Sequence, residues 1–176
     1  MNATVLRVCI AIPSLVFPVL AAQQPKQTPP AALPAQLLTA KKVFVGNGGG
    51  EALWAGNPVT GWPAFNGGPD RAYNQFYAAM KAWGRYELVG TPADADLVFE
   101  IRYLVQVDPG PGTNKGSMGP SYDPQLRLAI RDPKTQSLLW ALGRHIEGAM
   151  RQENREKNFD LAVAAIVSQV QKLTAQ

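Results

Sequence analysis

The fold is decided by residues 83–103, which read WGRYELVGTPADADLVFEIRY. Gly84 suits the end of a helix, because glycine adopts the left-handed conformation without a Cβ penalty. Residues 85–89 predict a short strand, and residues 91–94 predict a turn. Residues 97–107 give the strongest strand signal in the chain, since they are rich in Val, Ile, Phe, Tyr and Leu. We expect the rest of the chain to pack on the sheet that this segment begins.

Other segments carry the periodicity of strands or helices. Alternating apolar residues separated by a Pro-containing turn predict an antiparallel hairpin near the C-terminus. Apolar residues spaced by three and four positions predict two amphipathic helices. The predicted strands are 41–45, 125–131 and 137–149, and the predicted helices are 70–83 and 158–173.

The connections between these elements indicate the fold class. The strands after the first helix are joined by segments too short for the crossovers that parallel pairing usually needs. We therefore expect an α+β fold, in which a mostly antiparallel sheet of about five strands has two helices packed on one face.

The N-terminus has the composition of an export signal. Arg7 is the only charged residue before residue 26, and an apolar run over 8–20 follows it. Residues 1–22 are interpreted as a signal peptide, cleaved after Ala21 or Ala22. A membrane anchor is the alternative, but this run is shorter than the roughly 20 residues that a spanning helix needs. We expect export to the periplasm or the extracellular space, with the cleaved chain soluble and without a transmembrane segment.

A predicted linker separates the signal peptide from the rest of the chain. Residues 23–40 are rich in Pro, Ala and Gln and predict a linker, which leaves 41–174 as a single α+β domain. Cys9 is the only cysteine, and it lies inside the apolar run rather than at its end after small residues. The exported chain is therefore expected to carry neither a disulfide nor a lipid-modified cysteine.

Charge argues against a nucleic-acid partner. The chain has 17 basic and 13 acidic residues and a formal net charge of +4. Those charges are spread out, whereas nucleic-acid binding usually requires a basic stripe or cluster. A protein or glycan of the cell envelope is the partner class that the sequence leaves open, and the oligomeric state is open as well.

A loop over residues 53–69 is the candidate ligand or partner loop. Trp54, Trp62 and Phe65 lie there among Gly, Asn and Pro. Such aromatic residues can fold back as a cluster beneath the loop, or they can form an exposed platform for a sugar or a peptide. Both alternatives stay open at this point.

No catalytic, cofactor or metal site is predicted. The Gly-rich segment 46–51 follows a strand, but it lacks the Gly-Lys-Ser/Thr ending and the following helix of a phosphate-binding loop. Asp94 and Asp96 lack the further ligands of a calcium loop. His145 is the single imidazole, and a hydrolase would have to combine it with a carboxylate. The carboxylates considered for that role are Asp94, Asp96, Glu100 and Asp123.

Two stretches resemble a known class of protein. These are ADADLVFEI at 93–101 and LRLAIRDPKTQSLLW at 126–140, separated by a Gly/Pro loop and followed by an amphipathic helix. They resemble exported bacterial envelope proteins of a domain family of unknown function, and are more distantly similar to the TolB amino-terminal domain and to lipoproteins that assist outer-membrane assembly. The resemblance implies a non-enzymatic envelope module and carries over no catalytic residue.

Together these observations predict a non-catalytic, exported binding or assembly module of the periplasm or cell envelope. A glycan- or peptide-binding protein that uses the loop aromatics is the alternative. A hydrolase built on His145 is the least favoured of the three.

Overall fold

The secondary structure comes from a computed structural model, which describes residues 32–50, 65–108 and 121–175. A 3₁₀ turn at Pro92–Asp94 separates the second and third strands. The helices are α1 (Ala35–Thr39), α2 (Arg71–Trp83) and α3 (Gln152–Thr174). The strands are β1 (Lys42–Asn47), β2 (Glu87–Leu88), β3 (Leu97–Asp108), β4 (Ser121–Arg131) and β5 (Leu138–His145).

The five strands form one mixed sheet in the order β2-β1-β3-β4-β5. The long pairings β3–β4 and β4–β5 are antiparallel, so the predicted α+β fold with a mostly antiparallel sheet of about five strands is confirmed. The pairings β1–β2 and β1–β3 are parallel, however. Residues 89–96 connect β2 to β3 and cross the end of β1. Because β2 has only two residues, this short connection is enough to let β3 start beside β1 and run parallel to it.

The core lies between the helices and one face of the sheet. Inward positions alternate along the strands, as period-two patterning requires when one face is buried. Phe76 and Met80 of α2, and Phe159 and Ile166 of α3, pack against them in one cluster. The strands contribute Val43, Val45, Leu97, Phe99, Ile101, Tyr103, Leu126, Leu128 and Ile130 to this cluster.

The C-terminal end of α2 lies where the sequence predicts it, whereas α3 begins earlier than predicted. Gly84 closes α2 in the left-handed conformation, with φ of 69°, and its N–H donates to the Met80 carbonyl at 3.3 Å. The last helix begins at Gln152, six residues before the predicted start at 158. Its first turns are polar and partly exposed, so they lack the apolar spacing on which the prediction relied, although Gln, Glu, Arg and Lys are good helix formers.

Part of the predicted linker 23–40 is folded. Leu37 of α1 is fully buried in the core cluster, and the amide of Gln36 donates to the Asp132 carboxylate at 2.9 Å. A helix of five residues has too few turns to show a periodic pattern in the sequence. Its composition also resembles that of the Pro- and Ala-rich residues before it, so it was included in the predicted linker. Residues 23–31 and the predicted signal peptide lie outside the described residues.

The described part of the Gly-rich segment extends β1 instead of forming an anion-binding loop. The Gly48 N–H donates to the Ile101 carbonyl at 2.7 Å, and the Tyr103 N–H donates to the Gly49 carbonyl at 3.0 Å. A Cβ at Gly48 would lie 2.9 Å from the Arg102 Cβ and 3.0 Å from the Ile101 carbonyl oxygen. Glycine is needed here because the two backbones approach closely.

Within residues 32–50, 65–108 and 121–175, no helix combines the length and the apolar character needed to cross a bilayer.

Candidate interaction surfaces

The aromatic loop is only partly described. Phe65 is 8% exposed and belongs to the core cluster, with its ring centroid 5.8 Å from Tyr103 and 4.9 Å from Phe159. Phe65 therefore seals the core and is not on an exposed platform, which corrects its place among the candidate ligand residues. Trp54 and Trp62 lie outside the described residues, so a platform built from them stays a prediction.

The carboxylates of the Asp-x-Asp pair serve the entry to β3. Asp94 accepts a hydrogen bond from the Thr91 hydroxyl at 2.8 Å. The Asp96 carboxylate accepts from the backbone N–H groups of Lys41 at 2.8 Å and Lys42 at 2.9 Å. These two N–H groups lower the pKa of Asp96. Both carboxylates thus fix the backbone where β1 and β3 begin, and the described residues contain no group of three ligands that could hold a metal ion.

His145 meets one of the four candidate carboxylates. Its Nδ1 is paired with Asp123, and its Nε2 lies 3.7 Å from a Glu147 carboxylate oxygen. Asp123 also accepts from the Gln125 amide; this bond and the one from His145 lower the pKa of Asp123. His145 is 48% exposed, and no described hydroxyl contacts its ring. An acid–base pair is present here, but a nucleophile beside it is not among the described side chains.

The remaining candidate carboxylates lie away from His145. Glu100 of β3 pairs with Arg131 at 3.7 Å, and Asp94 and Asp96 lie at the start of that strand. Of the residues considered for a hydrolase, the structure brings together only His145 and Asp123. Asp123 and His145 lie 22 positions apart in the sequence, and the pairing of β4 with β5 brings them together.

The face of the sheet opposite the core carries charged and amide side chains, and we call it the open face. Arg102 of β3 and Arg127 of β4 are both exposed there and lie directly opposite each other. Gln106 and Gln125 lie beside them, and Gly143 of β5 is directly opposite Arg127. The sequence alone marks these positions as outward, but it cannot show that the two arginines are cross-strand neighbours.

The two edges of the sheet differ in length and chemistry. One edge is β2, with two residues, and the other is β5, with eight. The Ile146 N–H donates to the Pro124 carbonyl at 2.9 Å. Because hydrogen bonding alternates along an antiparallel pair, the N–H and C=O groups of Ala141 and Gly143 point away from β4. No described segment pairs with this side of β5.

The β5 edge is also apolar. Residues 138–143 read LLWALG and contain no charge, and Leu138 is 55% exposed. Natural proteins usually protect a long edge with charged residues, proline or a covering element. Among the described residues, such protection is absent between Leu138 and Gly143.

No family model and no curated protein matches the chain. Among solved structures, the chain is similar to a DUF330-family protein from Xanthomonas campestris, with 13% identity, 81% of this chain and 86% of that chain covered, and a TM-score of 0.44. It is similar to uncharacterized lipoprotein B from Nitrosomonas europaea, with 14% identity, coverage of 82% and 88%, and a TM-score of 0.38. A third is a neuraminyllactose-binding hemagglutinin homolog from Helicobacter pylori, with 10% identity, coverage of 76% and 85%, and a TM-score of 0.41.

These similarities agree with the resemblance to uncharacterised bacterial envelope proteins. At such identities and TM-scores they assign no ligand and no residue role to this chain.

Proposed function

We propose that this chain is a non-catalytic, exported binding and assembly module of the bacterial cell envelope, which binds an extended segment of a partner protein at the edge of β5. The observation that supports the proposal is the eight-residue edge strand itself, with its outward backbone groups unpaired among the described residues. A partner strand added there would extend the sheet by main-chain hydrogen bonds, while alternate side chains give specificity.

The length of the edge favours strand addition. The N–H and C=O groups of Ala141 and Gly143 point outward, and β5 continues on both sides of them. The two-residue β2 offers no comparable length at the other edge.

Charge favours a different protein over a second copy of this chain. Lys134 lies in the turn before β5, and Arg144 lies near the end of the strand; both are exposed. In a symmetric antiparallel pair, Arg144 of one copy would approach the end of the strand that carries Lys134 in the other. Glu147, whose side chain is 80% exposed, would offset part of this repulsion, whereas a partner segment with acidic residues would be attracted by both Lys134 and Arg144. The proposed occupant is therefore an extended apolar segment flanked by Asp or Glu.

The envelope location of the proposal rests on the export signal predicted at residues 1–22. Cell fractionation of the full chain, compared with a chain that starts at Gln23, tests it. We expect the full chain in the periplasm or the medium and the shortened chain in the cytoplasm; equal distributions would overturn the export assignment.

The edge is tested with a phage-displayed library of random linear peptides, selected on the mature chain. Selected peptides are then measured against Ala141→Pro and Ala141→Val. Proline at this position removes an outward N–H without breaking a bond to β4, so the fold should survive. Valine keeps the N–H and suits a strand, which makes it the matched control.

We expect peptides enriched in apolar and acidic residues that bind the wild type and Ala141→Val alike and lose binding to Ala141→Pro. Hydrogen exchange should show protection of the Ala141 and Gly143 amides when such a peptide is bound. Circular dichroism confirms that the proline variant is folded. Peptides that bind all three proteins equally would overturn the edge assignment, and a wild-type dimer that Ala141→Pro dissociates would assign the edge to a second copy.

A further inference from the structure

A pair of like charges lies at the centre of the open face. Arg102 and Arg127 are directly opposite each other on β3 and β4, where Cβ atoms of facing residues are about 4.5–5.5 Å apart. Like charges in that arrangement destabilise a sheet. The described structure gives Arg102 no hydrogen bond or ion pair, and Arg127 has only long contacts to the amide oxygens of Gln125 at 3.3 Å and Gln106 at 3.5 Å.

The carboxylates nearby are already paired with other groups. On one side Glu100 pairs with Arg131 at 3.7 Å. On the other side Asp123 accepts from Gln125 and pairs with His145. The described charges therefore leave two exposed arginines as cross-strand neighbours, with an ion pair on each side of them. No described carboxylate lies within ion-pair distance of either, although Arg127 contributes to the lowered pKa of Asp123.

We propose that Arg102 and Arg127 bind an oxyanion, a carboxylate or a phosphate, carried by a small hydroxylated molecule. Guanidinium groups are planar donors that match both oxyanions by paired hydrogen bonds. The Gln125 amide nitrogen already donates to Asp123 and Gln106, so the amide group of Gln106 is the one that can donate to a neighbouring hydroxyl group. A Cβ at Gly143, opposite Arg127, would meet nothing within 4 Å, so the space beside the pair is open for a ligand.

This proposal is independent of strand addition at β5, because it concerns side chains on the open face and not the edge of the backbone. The probes are inorganic phosphate, glucuronate and glucose 6-phosphate, with glucose as the uncharged control. Binding to the mature chain is followed by calorimetry and by NMR shifts of the arginine side chains. Vesicles of phosphatidylglycerol, compared with phosphatidylcholine, test whether the oxyanion belongs to a lipid headgroup.

We expect glucuronate or glucose 6-phosphate to bind and to shift both arginine side chains, while glucose does not bind. Arg102→Gln and Arg127→Gln should each weaken binding roughly 10- to 100-fold, as expected for loss of charge-assisted hydrogen bonds. Without ligand, Arg102→Gln should melt at a higher temperature than the wild type, because the like-charge pair is gone. A merely structural arginine would show the opposite change in melting temperature.

Two further variants complete the test. Lys81→Gln removes one positive charge from an exposed site on α2, across the sheet, and should leave binding unchanged. Gly143→Val places a strand-compatible side chain in the open space and should weaken binding while the protein stays folded. The proposal is overturned if Lys81→Gln weakens binding as much as Arg127→Gln, if no anionic probe binds, or if only phosphatidylglycerol vesicles bind and the arginine variants bind them equally.

Discussion

The two faces of the sheet are built by the same strands, yet they are chemically opposite. Along β3, Phe99 and Ile101 are buried beneath the helices, while the next residues, Glu100 and Arg102, lie on the open face. The buried strand positions of the covered face are all apolar or aromatic, and its polar residues, Asn47 and Arg144, are exposed. The open face carries the charges and amides of β3 and β4 beside a few apolar residues such as Val98. Stability should therefore depend on one face, and the other can carry residues that do not stabilise the fold.

The largest expected effect comes from the covered face. Phe99→Ala removes a fully buried ring and should lower the free energy of unfolding by about 3–5 kcal/mol, from lost burial and the cavity left behind. Arg102→Ala, on the open face of the same strand, should change it by less than about 0.5 kcal/mol. Urea unfolding measures both, and similar losses in the two variants would contradict the division between the faces.

The helix layer holds one charged network that should matter almost as much. Arg71 is 9% exposed; it donates to Asp160 at 2.7 Å, pairs with Glu156 and lies 4.3 Å from the Phe159 ring centroid. Burial alone would raise the pKa of Glu156, but the Asn66 N–H, Arg71 and Gln152 together lower it. The carboxylate is therefore held in its charged form.

Arg71→Met should cost about 2–3 kcal/mol, because it leaves the Glu156 carboxylate partly buried and without its cation. Thermal unfolding measures the loss, and Lys81→Met on the exposed side of α2 serves as the control. Adding Glu156→Gln to Arg71→Met should recover part of the stability. A double variant as unstable as the sum of the two single variants would show that no coupling exists.

A third substitution on the covered side should stabilise the protein. Tyr86 is 5% exposed and packs between Trp83 and Phe99, and its hydroxyl has no hydrogen-bond partner within the described structure. Tyr86→Phe should raise the free energy of unfolding by about 1 kcal/mol, because a buried hydroxyl without a partner is unfavourable. Tyr77→Phe, which alters a half-buried ring, should have little effect on the melting temperature. A loss of stability in Tyr86→Phe would show that the hydroxyl has a partner.

Acidic pH should destabilise the protein by protonating carboxylates near the ends of the strands. Hydrogen bonds lower the pKa values of Asp96, Asp123 and Asp132 below their ordinary range. A lowered pKa in the folded state stabilises the protein above the unfolded-state value of about 3.9 and loses that contribution as the pH falls through the folded value. The melting temperature should thus decrease when the pH is lowered below about 4, and Asp96→Asn should make the melting temperature less dependent on pH. An unchanged profile in Asp96→Asn would exclude that carboxylate as a source.

The smallest effect belongs to the open face. Arg102→Gln relieves the repulsion with Arg127 and should raise the free energy of unfolding by a few tenths of a kcal/mol. Because both side chains are exposed, added salt should shrink this difference. Chemical denaturation at low and high salt measures it, and a gain that persists at high salt would point to a cause other than charge.

Local pattern was enough to predict most of the covered face. Strand β3 was predicted at 97–107 and occupies 97–108, and α2 was predicted at 70–83 and occupies 71–83. Both depend on period-two or period-3.6 apolar spacing, which a single sequence displays directly. The short α1 and the polar first turns of α3 display no such spacing, which explains why both were missed.

The candidate surfaces depend on long-range register and could not be predicted in this way. Arg102 and Arg127 become neighbours only through the pairing of β3 with β4, and His145 meets Asp123 only through the pairing of β4 with β5. The unpaired edge of β5 likewise depends on the strand order, because the sequence alone does not show which strand lies at the edge of the sheet. Phe65 shows a similar limit, because its loop composition left burial and exposure both open and only the fold shows that its ring lies in the core.

The place of β1 inside the sheet also sets the order in which the chain can fold. Strands β3, β4 and β5 follow one another and pair as neighbours, so their contacts are local in sequence. Strand β1 is the first to be synthesised, but its partners are residues 87–88 and 97–101. Contacts between residues so far apart in the sequence form more slowly than local hairpin contacts. A nascent chain that has reached residue 86 therefore carries Val43 and Val45 before either partner strand of β1 has been synthesised.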